Sequence, residues 1–354
     1  MPHPVRIDAL ARRLQAPLLV TRSPNLRYLI GFTGDNGYLL VRPEGSSVFL
    51  TDERYGEPAR ALLGGLPGAE VEVYRGDLWK ALQGVLAGLE GIDLEAAGVT
   101  WEFARSLEEK VGISPTATSG LVEGLRRSKD QEEVAALRRA AAAGDAAFAA
   151  LGGLLGEAAT EADLAWGLVA EMRRHGAERP DWEVIVAGGA GSSVPHYESA
   201  RVPLGGGLLL LDYGCVVDGY HSDMTRTVWL GGSPDPEMVE IYRLVLEAEQ
   251  AGIAALRPGA AGHEVDEAVR AVLRAAGRED QFLHSTGHGV GLEIHEEPWL
   301  RRGNEDPVRA GDVVTIEPGV YLPGVGGVRI EDMVLVTEEG PVVLTGSSRE
   351  LLRP

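Results

Sequence analysis

The chain has 354 residues, which corresponds to about two domains of ordinary size. Lys and Arg number 33 against 53 Asp and Glu, and the net charge of −20 argues against nucleic acid or an anionic membrane as partner. The single cysteine, Cys215, can form neither an intrachain disulfide nor a thiolate metal cage, which indicates a reducing compartment. Residues 1–8 lack the apolar run of a signal peptide and no stretch has membrane length, so we expect a cytoplasmic protein.

Helix-like and strand-like segments alternate from the N-terminus to about residue 125, which is typical of a small α/β domain. Around Leu125 the pattern changes to a charged segment that leads into an alanine-rich helix, so we place the domains at residues 1–125 and 126–354. Periodicity in the first part predicts helices near 4–14, 53–63 and 77–89 and strands at 17–20, 38–41, 47–50 and 71–74.

The second part opens with helices and continues with strands that have antiparallel character. Thr160 and Asp163 have the spacing of a capping box at a helix start. Asp218-Gly219 is a strong hairpin signal between two apolar strands. The pattern predicts strands at 208–212, 225–230, 313–316, 328–330 and 334–336 and helices near 236–256 and 263–276. We therefore expect a mixed α+β domain.

Acidic residues at strand ends are the chemical signal of this second part. The sequence has no phosphate-binding loop, no Gly-x-Ser-x-Gly elbow and no His-Glu-x-x-His zinc helix. Asp212 and Asp223 flank the predicted hairpin, so antiparallel pairing can bring their carboxylates face to face. Glu317 and Glu331 each end an apolar strand. Converging buried carboxylates require a compensating cation.

His288, between two glycines, adds an imidazole to these four carboxylates. The donor set is hard and rich in oxygen, which suits a pair of divalent ions such as Mn²⁺ or Co²⁺. Two such ions about 3.5 to 4 Å apart can acidify a shared water, which is the chemistry of a hydrolase. Any one of these residues alone would usually be a cap, turn or salt-bridge residue, so the prediction depends on all five. We expect four other histidines to have surface or structural roles: His3, His175, His221 and His263.

Five motifs in the second part resemble those of the pita-bread metallopeptidases, in particular the Xaa-Pro peptidases. The first part resembles the creatinase-like domain that Xaa-Pro aminopeptidases and prolidases carry, so the resemblance covers the whole chain. It implies an α+β fold with a pita-bread catalytic domain after a smaller creatinase-like α/β domain. The motifs are Leu211-Asp-Tyr-Gly214, Ser222-Asp-Met-Thr-Arg-Thr227, Ser285-Thr-Gly-His-Gly-Val-Gly-Leu-Glu-Ile-His-Glu-Glu-Pro298, Thr315-Ile-Glu-Pro-Gly319 and Val328-Arg-Ile-Glu-Asp332.

The resemblance also implies a role for each motif residue. Two divalent metal ions are expected, Mn²⁺ first and Co²⁺ or Zn²⁺ as alternatives. Asp223 and Glu331 would bridge them, and Glu317 would also act as general base. The implied metal ligands are Asp212, Asp223, His288, Glu317 and Glu331.

Other residues are implied to handle the substrate. His196 would steady the scissile amide or its leaving nitrogen, and His295 would stabilise the tetrahedral oxyanion. Thr225 would hold a ligand carboxylate from behind. The residues implied to line the proline side of the site are His284, Tyr321 and Arg329.

The implied activity is hydrolysis of the N-terminal Xaa-Pro bond of proline-containing peptides. This bond is a tertiary amide without an N–H group, so peptidases that depend on that donor handle it poorly. The alternative is prolidase, which accepts dipeptides only. In this family a loop of the N-terminal domain, often from a partner subunit, caps the pocket, and residues 31–37 are the candidate here. Its acid Asp35 has no obvious cation beside it, which favours the aminopeptidase, while Arg329 could still grip a dipeptide carboxylate.

More distant alternatives explain less of the sequence. A methionine aminopeptidase would leave the first 125 residues unaccounted for, and creatinase-type enzymes lack the metal ligands. A non-catalytic pita-bread binding module usually loses ligands, and the charge of −20 disfavours nucleic acid as its target. The resemblance further implies a homodimer formed through the N-terminal domain.

Overall fold

A computed structural model describes residues 3–354. Met1 and Pro2 lie outside the described residues, and with them the beginning of the segment 1–8 in which a signal peptide was not expected. The chain forms two units, one that ends at Arg126 and one that spans Arg127–Pro354. The boundary between residues 125 and 126 stays our proposed domain boundary. In the described part of the chain, no helix is long and apolar enough to cross a membrane.

The first unit is built on a six-stranded mixed sheet with the order β4-β3-β2-β1-β5-β6. Its strands are β1 (Leu18–Val20), β2 (Gly37–Val41), β3 (Ser47–Asp52), β4 (Ala69–Tyr74), β5 (Ile92–Glu95) and β6 (Pro115–Thr118). Its helices are α1 (His3–Ala11), α2 (Ser23–Ile30), α3 (Gly56–Leu63), α4 (Leu78–Val85), α5 (Trp101–Ser106), followed by a π-helical turn (Leu107–Val111), and α6 (Glu123–Arg126). Leu82 of α4 packs on Leu40 and Leu94 of the sheet, and this confirms the predicted α/β character.

The second unit combines helices with strands that pair antiparallel throughout residues 127–354. Its helices are α7 (Gln131–Ala149), α8 (Leu151–Glu157), α9 (Glu161–Arg174), α10 (Pro236–Ala255) and α11 (Gly262–Ala275), with short 3₁₀ turns at Gly189–Ser193 and Glu279–Gln281. Its strands are β7 (Arg179–Pro180), β8 (Ile185–Gly188), β9 (Gly207–Tyr213), β10 (Cys215–Val217), β11 (Tyr220–His221), β12 (Met224–Leu230), β13 (Gly287–Gly289), β14 (Glu296–Leu300), β15 (Val313–Ile316), β16 (Gly319–Leu322), β17 (Gly326–Arg329), β18 (Asp332–Thr337) and β19 (Gly340–Val343). The predicted α+β class is confirmed.

Helices cover the sheets through apolar faces that the sequence pattern contains. The predicted capping box at Thr160 and Asp163 starts α9, and Leu164 and Leu168 of this helix pack on Leu211 of β9. Val245 of α10 lies in a second cluster with residues of β16 and β17. The strands that carry the acidic residues are therefore held between packed helices.

The hairpin around Asp218 differs in register from the sequence-based expectation. Asp218 and Gly219 have φ values of 49° and 75°, as a two-residue hairpin turn requires. However, Asp212 pairs with Thr225, so Asp223 lies diagonally from Asp212 instead of directly opposite. The cause is a second small hairpin, because the chain leaves β9 after Tyr213 to form β10 and β11. The two carboxylates still share one face of the sheet.

A buried ionic cluster lies behind the last strands. Arg226, 1% exposed, donates to the Glu331 carbonyl oxygen at 2.6 Å and to Asp332 Oδ1 at 2.7 Å. Glu249 is fully buried, and its Oε1 lies 3.2 Å from Arg349 Nε without a well-aligned hydrogen bond. Burial and the neighbouring Asp332 raise the pKa of Glu249 to about 8. A protonated Glu249 can donate to Asp332, which removes one of the two adjacent charges.

Candidate active site

The second unit contains a cavity of about 500 Å³ where its sheets meet. A cavity of about 650 Å³ in the first unit is larger, but its lining offers Arg, Lys, Asp and Glu and no histidine among the described residues. We take the smaller cavity as the candidate active site, because histidines and carboxylates line it together. Its lining residues are Asp181, Trp182, Ile185, Pro195, His196, Asp212, Asp223, His284, Ser285, His288, Ile294, His295, Trp299, Glu317, Arg329 and Glu331.

All five predicted metal ligands line this cavity. The Nε2 atom of His288 lies 3.6 Å from Asp223 Oδ2 and 3.5 Å from Glu317 Oε1. Asp223, His288 and Glu331 can each place a ligand atom within 4.8 Å of the others. Glu331 reaches this position because it precedes β18 and forms a β-bridge with Thr225 of β12. Residues from four separate segments of the chain thus converge on one point.

The electrostatics of this cluster fit divalent cations. Burial, reinforced by the other carboxylates, raises the pKa of Asp223 and of Glu331 well above the ordinary values. Burial also raises the pKa of Glu317 to about 7, although the nearby Arg329 lowers it. Burial lowers the pKa of His288 to about 3, so its imidazole is neutral and able to bind a metal. The uncompensated carboxylates and the neutral histidine are a donor set that divalent ions would stabilise.

Hydrogen bonds of Thr225 fix the carboxylate of Glu331, one of the predicted ligands. The fully buried Thr225 hydroxyl donates to Glu331 Oε2 at 2.6 Å and accepts from Arg329 Nε at 3.0 Å. This is the contact expected of a residue that holds a ligand carboxylate from behind.

The three residues predicted at the proline side form a connected network. Arg329 donates through Nη1 to the Tyr321 hydroxyl at 2.7 Å and through Nη2 to Asp212 Oδ2 at 2.5 Å. The Tyr321 hydroxyl is in turn 2.8 Å from His284 Nε2. Tyr321 is buried behind the cavity wall and reaches the site through these two partners. The network thus links Asp212, one of the predicted ligands, to the wall of the cavity.

His196 and His295 both lie on the cavity lining and are exposed to it. The His295 ring is 4.4 Å from the His288 ring, and it stacks on Trp299 at 5.9 Å between ring centroids. These positions place two imidazoles beside the cluster of acidic residues, where they can donate protons or hydrogen bonds to a bound substrate.

Sequence reasoning missed one side of the cavity, which Asp181, Trp182 and Trp299 line. His221, for which the sequence predicts a surface or structural role, is buried with its Nδ1 atom 2.5 Å from Asp181 Oδ2, which is the structural alternative. Partial burial lowers the pKa of His295 and the negative charge of Asp181 opposes this, so these side chains interact electrostatically. No motif in the sequence marks these residues.

A mixed-sheet unit followed by an antiparallel unit with a carboxylate–histidine cluster defines a two-domain metallohydrolase. The profile of metallopeptidase family M24 matches residues 135–338, and that of the creatinase/prolidase N-terminal domain matches residues 7–128. The chain belongs to metallopeptidase family M24, and the resemblance found in the sequence is confirmed.

Some relatives that are similar to this chain over nearly its full length are named Xaa-Pro dipeptidase, and another is named X-Pro aminopeptidase. An Xaa-Pro dipeptidase of Pyrococcus horikoshii is 32% identical over 95% of this chain and 94% of its own. The structure titled Xaa-Pro dipeptidase from Bacillus anthracis has a TM-score of 0.94 at 34% identity and covers both chains completely. The X-Pro aminopeptidase structure of Thermotoga maritima has a TM-score of 0.85 at 30% identity and covers 96% of this chain and 98% of its own.

Proposed function

We propose that this protein hydrolyses the bond between an N-terminal residue and a following proline, with two divalent metal ions in the cavity of the second unit. The observation that carries the proposal is the convergence of His288 with carboxylates from separate strands on one point. The residues that would hold the metals are Asp212, Asp223, His288, Glu317 and Glu331. When bound, such ions polarise the scissile carbonyl and lower the pKa of water.

The protein's own side chains would position the substrate and move its protons. Glu317 would accept the proton of the attacking water, because its carboxylate lies at the cluster and is partly exposed to the cavity. His295 would donate a hydrogen bond to the oxygen of the tetrahedral intermediate, and His196 to the scissile amide. The leaving prolyl nitrogen is basic and must be protonated for the bond to break, and an acid beside it therefore speeds the reaction.

The hydrogen bonds that Arg329 already makes favour substrates longer than a dipeptide. A dipeptide-specific site would need a cation free to hold the substrate's carboxylate. Among the described residues that line the cavity, Arg329 is the one arginine or lysine, and its nitrogens bond Asp212, Tyr321 and Thr225. A guanidinium already bonded in this way is poorly placed to bind a free carboxylate. We therefore propose an Xaa-Pro aminopeptidase.

Prolidase activity is a second candidate, favoured by the names of the relatives. Two of the three relatives described above are named Xaa-Pro dipeptidases. The sequence showed no cation beside the loop at residues 31–37, but in the first unit Arg54 Nη2 lies 3.3 Å from Asp35 Oδ1 of that loop. Arg54 Nη2 also donates to Asp52 Oδ2 at 2.7 Å, so this guanidinium is already bonded, as that of Arg329 is, and does not by itself favour a dipeptide.

A matched pair of peptides separates the two candidates. Purified protein supplied with Mn²⁺ is given Ala-Pro and Ala-Pro-Ala, and cleavage is followed by release of free alanine. Faster cleavage of the tripeptide supports the aminopeptidase, whereas cleavage of the dipeptide alone supports prolidase. Asp223→Asn, which removes a ligand charge with little change of shape, is expected to abolish both activities, and unchanged hydrolysis in this variant would contradict the metal site.

We also propose that the protein is a homodimer, as the family resemblance implies. Sedimentation equilibrium tests this directly against the chain mass of 37.6 kDa. A monomer at all concentrations would remove the proposal that a partner's loop caps the site.

A further inference from the structure

Asp181 is an acid of the cavity that the proposed chemistry does not use. Its side chain is 5% exposed, and its Oδ2 lies 2.5 Å from His221 Nδ1, which fixes the carboxylate. Its other oxygen, Oδ1, has the mostly exposed Arg179 guanidinium 4.0 Å away, beyond hydrogen-bonding distance. A buried carboxylate that lines a cavity in this way can bind a cation that enters with the substrate.

The position of Asp181 separates it from the proline side of the site. Along β9, Asp212 meets Arg329, whereas Gly214, two residues further on, accepts a hydrogen bond from the Asp181 backbone N–H at 3.1 Å. Two residues of a strand span about 6 to 7 Å. If Arg329 and its partners face proline, Asp181 lies on the side of the residue before proline.

Trp182 completes an environment suited to a long basic side chain. Its indole packs on Gly214, where an added Cβ would lie 2.8 Å from Trp182 Cη2, so the ring is held in place. Trp182, Ile294 and Trp299 give this part of the cavity apolar and aromatic walls. Such walls cover the methylene stem of Lys or Arg, and an aromatic face attracts the charged end.

We infer that Asp181 selects peptides whose N-terminal residue is basic, Lys or Arg, by pairing its carboxylate with the side-chain cation. This inference rests on the proposed function, because it concerns the residue before proline in the same reaction. The α-amino group is common to all substrates, so a contact with that group would give no preference among N-terminal residues.

The test compares Lys-Pro-Ala with norleucine-Pro-Ala, whose side chain is unbranched and uncharged, together with the two corresponding dipeptides. We expect wild type to have a higher kcat/KM for the lysine peptide. In Asp181→Asn this preference falls by about 10- to 100-fold, as expected for a lost charge-assisted hydrogen bond. The norleucine peptide is the internal reference, because any effect of Asp181 on His295 changes the cleavage of both peptides alike. A circular dichroism spectrum equal to that of wild type reports that the variant is folded.

Glu183→Gln is the matched control, because it removes the same charge two residues away at an exposed position that does not line the cavity. We expect it to keep the lysine preference. An equal loss on both peptides in Asp181→Asn would overturn the inference and leave the Xaa-Pro activity standing, as would a wild type without lysine preference. Cleavage of none of the peptides by wild type would overturn the inference and the proposed function together.

Discussion

The Thr225 hydroxyl offers the sharpest test of how the protein holds its proposed metal ligands. Thr225→Val keeps the shape of the side chain but removes the 2.6 Å bond to Glu331 and the 3.0 Å bond from Arg329. Both partners are buried, so water does not replace the lost hydroxyl. Each hydrogen bond to a charged group contributes about 1.5–3 kcal/mol, so we expect the loss of both to lower the free energy of unfolding by about 3 to 6 kcal/mol.

Metal affinity is the second readout for this variant. A released Glu331 carboxylate can rotate away from the cluster, and loss of such a supporting contact usually weakens metal binding by about 10- to 100-fold. Isothermal titration of the apoprotein with Mn²⁺ measures this without any dependence on turnover. Thr225→Ser is the control, because it keeps the hydroxyl and loses one methyl group, at a cost of about 1 kcal/mol. Equal Mn²⁺ affinities for Thr225→Val and wild type would show that the Thr225 hydroxyl does not hold Glu331 in position for metal binding.

Three further changes probe the fold and the metal. Glu249 has a folded pKa of about 8 against an ordinary 4.5, so its protonated form stabilises the fold, and this stability is lost as pH rises from about 4.5 to 8. Urea unfolding at pH 6 and 8.5 should show Glu249→Gln losing less stability than wild type across this interval, by about 2.5 kcal/mol, and parallel losses would contradict the assignment. In Gly287→Ala the new Cβ would lie 1.9 Å from the Thr315 carbonyl oxygen, so we expect the free energy of unfolding to fall by about 3 kcal/mol or more. The control is Gly156→Ala, which has open space around the new Cβ and should stay near the stability of wild type. Mn²⁺ at 100 times its dissociation constant should stabilise the apoprotein by about 2.7 kcal/mol, and a melting temperature unmoved by Mn²⁺ would argue against the site.

The sequence predicted those helices and strands whose boundaries are set by nearby residues, through the spacing of apolar side chains or a capping residue. The strand at 313–316 and the start of the helix after Thr160 match the structure because alternation and capping are local properties. The helix Ser23–Ile30 was missed, although proline near its start and Gly31 after its end, with φ of 73°, are standard signals. Strand Gly287–Gly289 was missed for a different reason. Glycine is depleted in strands, but here the close approach of the Thr315 backbone requires it.

The site shows the same division between local and long-range information. The predicted ligands were found through the motifs around them, and only the fold brings Glu331 to Thr225, 106 residues away. The pairing of Asp181 with His221 joins positions 40 residues apart through the packing of β7 on β10, which no local pattern encodes. For the same reason the diagonal placement of Asp223 could not be read from the spacing of the two acids.

The decisive experiment compares Ala-Pro-Ala with Ala-Ala-Ala as substrates of the protein loaded with Mn²⁺, with and without a chelator. We expect the proline peptide to be cleaved after its first residue at a much higher rate, the chelator to stop this cleavage and added Mn²⁺ to restore it. Cleavage that survives the chelator, or equal rates on the two peptides, would show that the carboxylate–histidine cluster is not the centre of a metal-dependent Xaa-Pro peptidase.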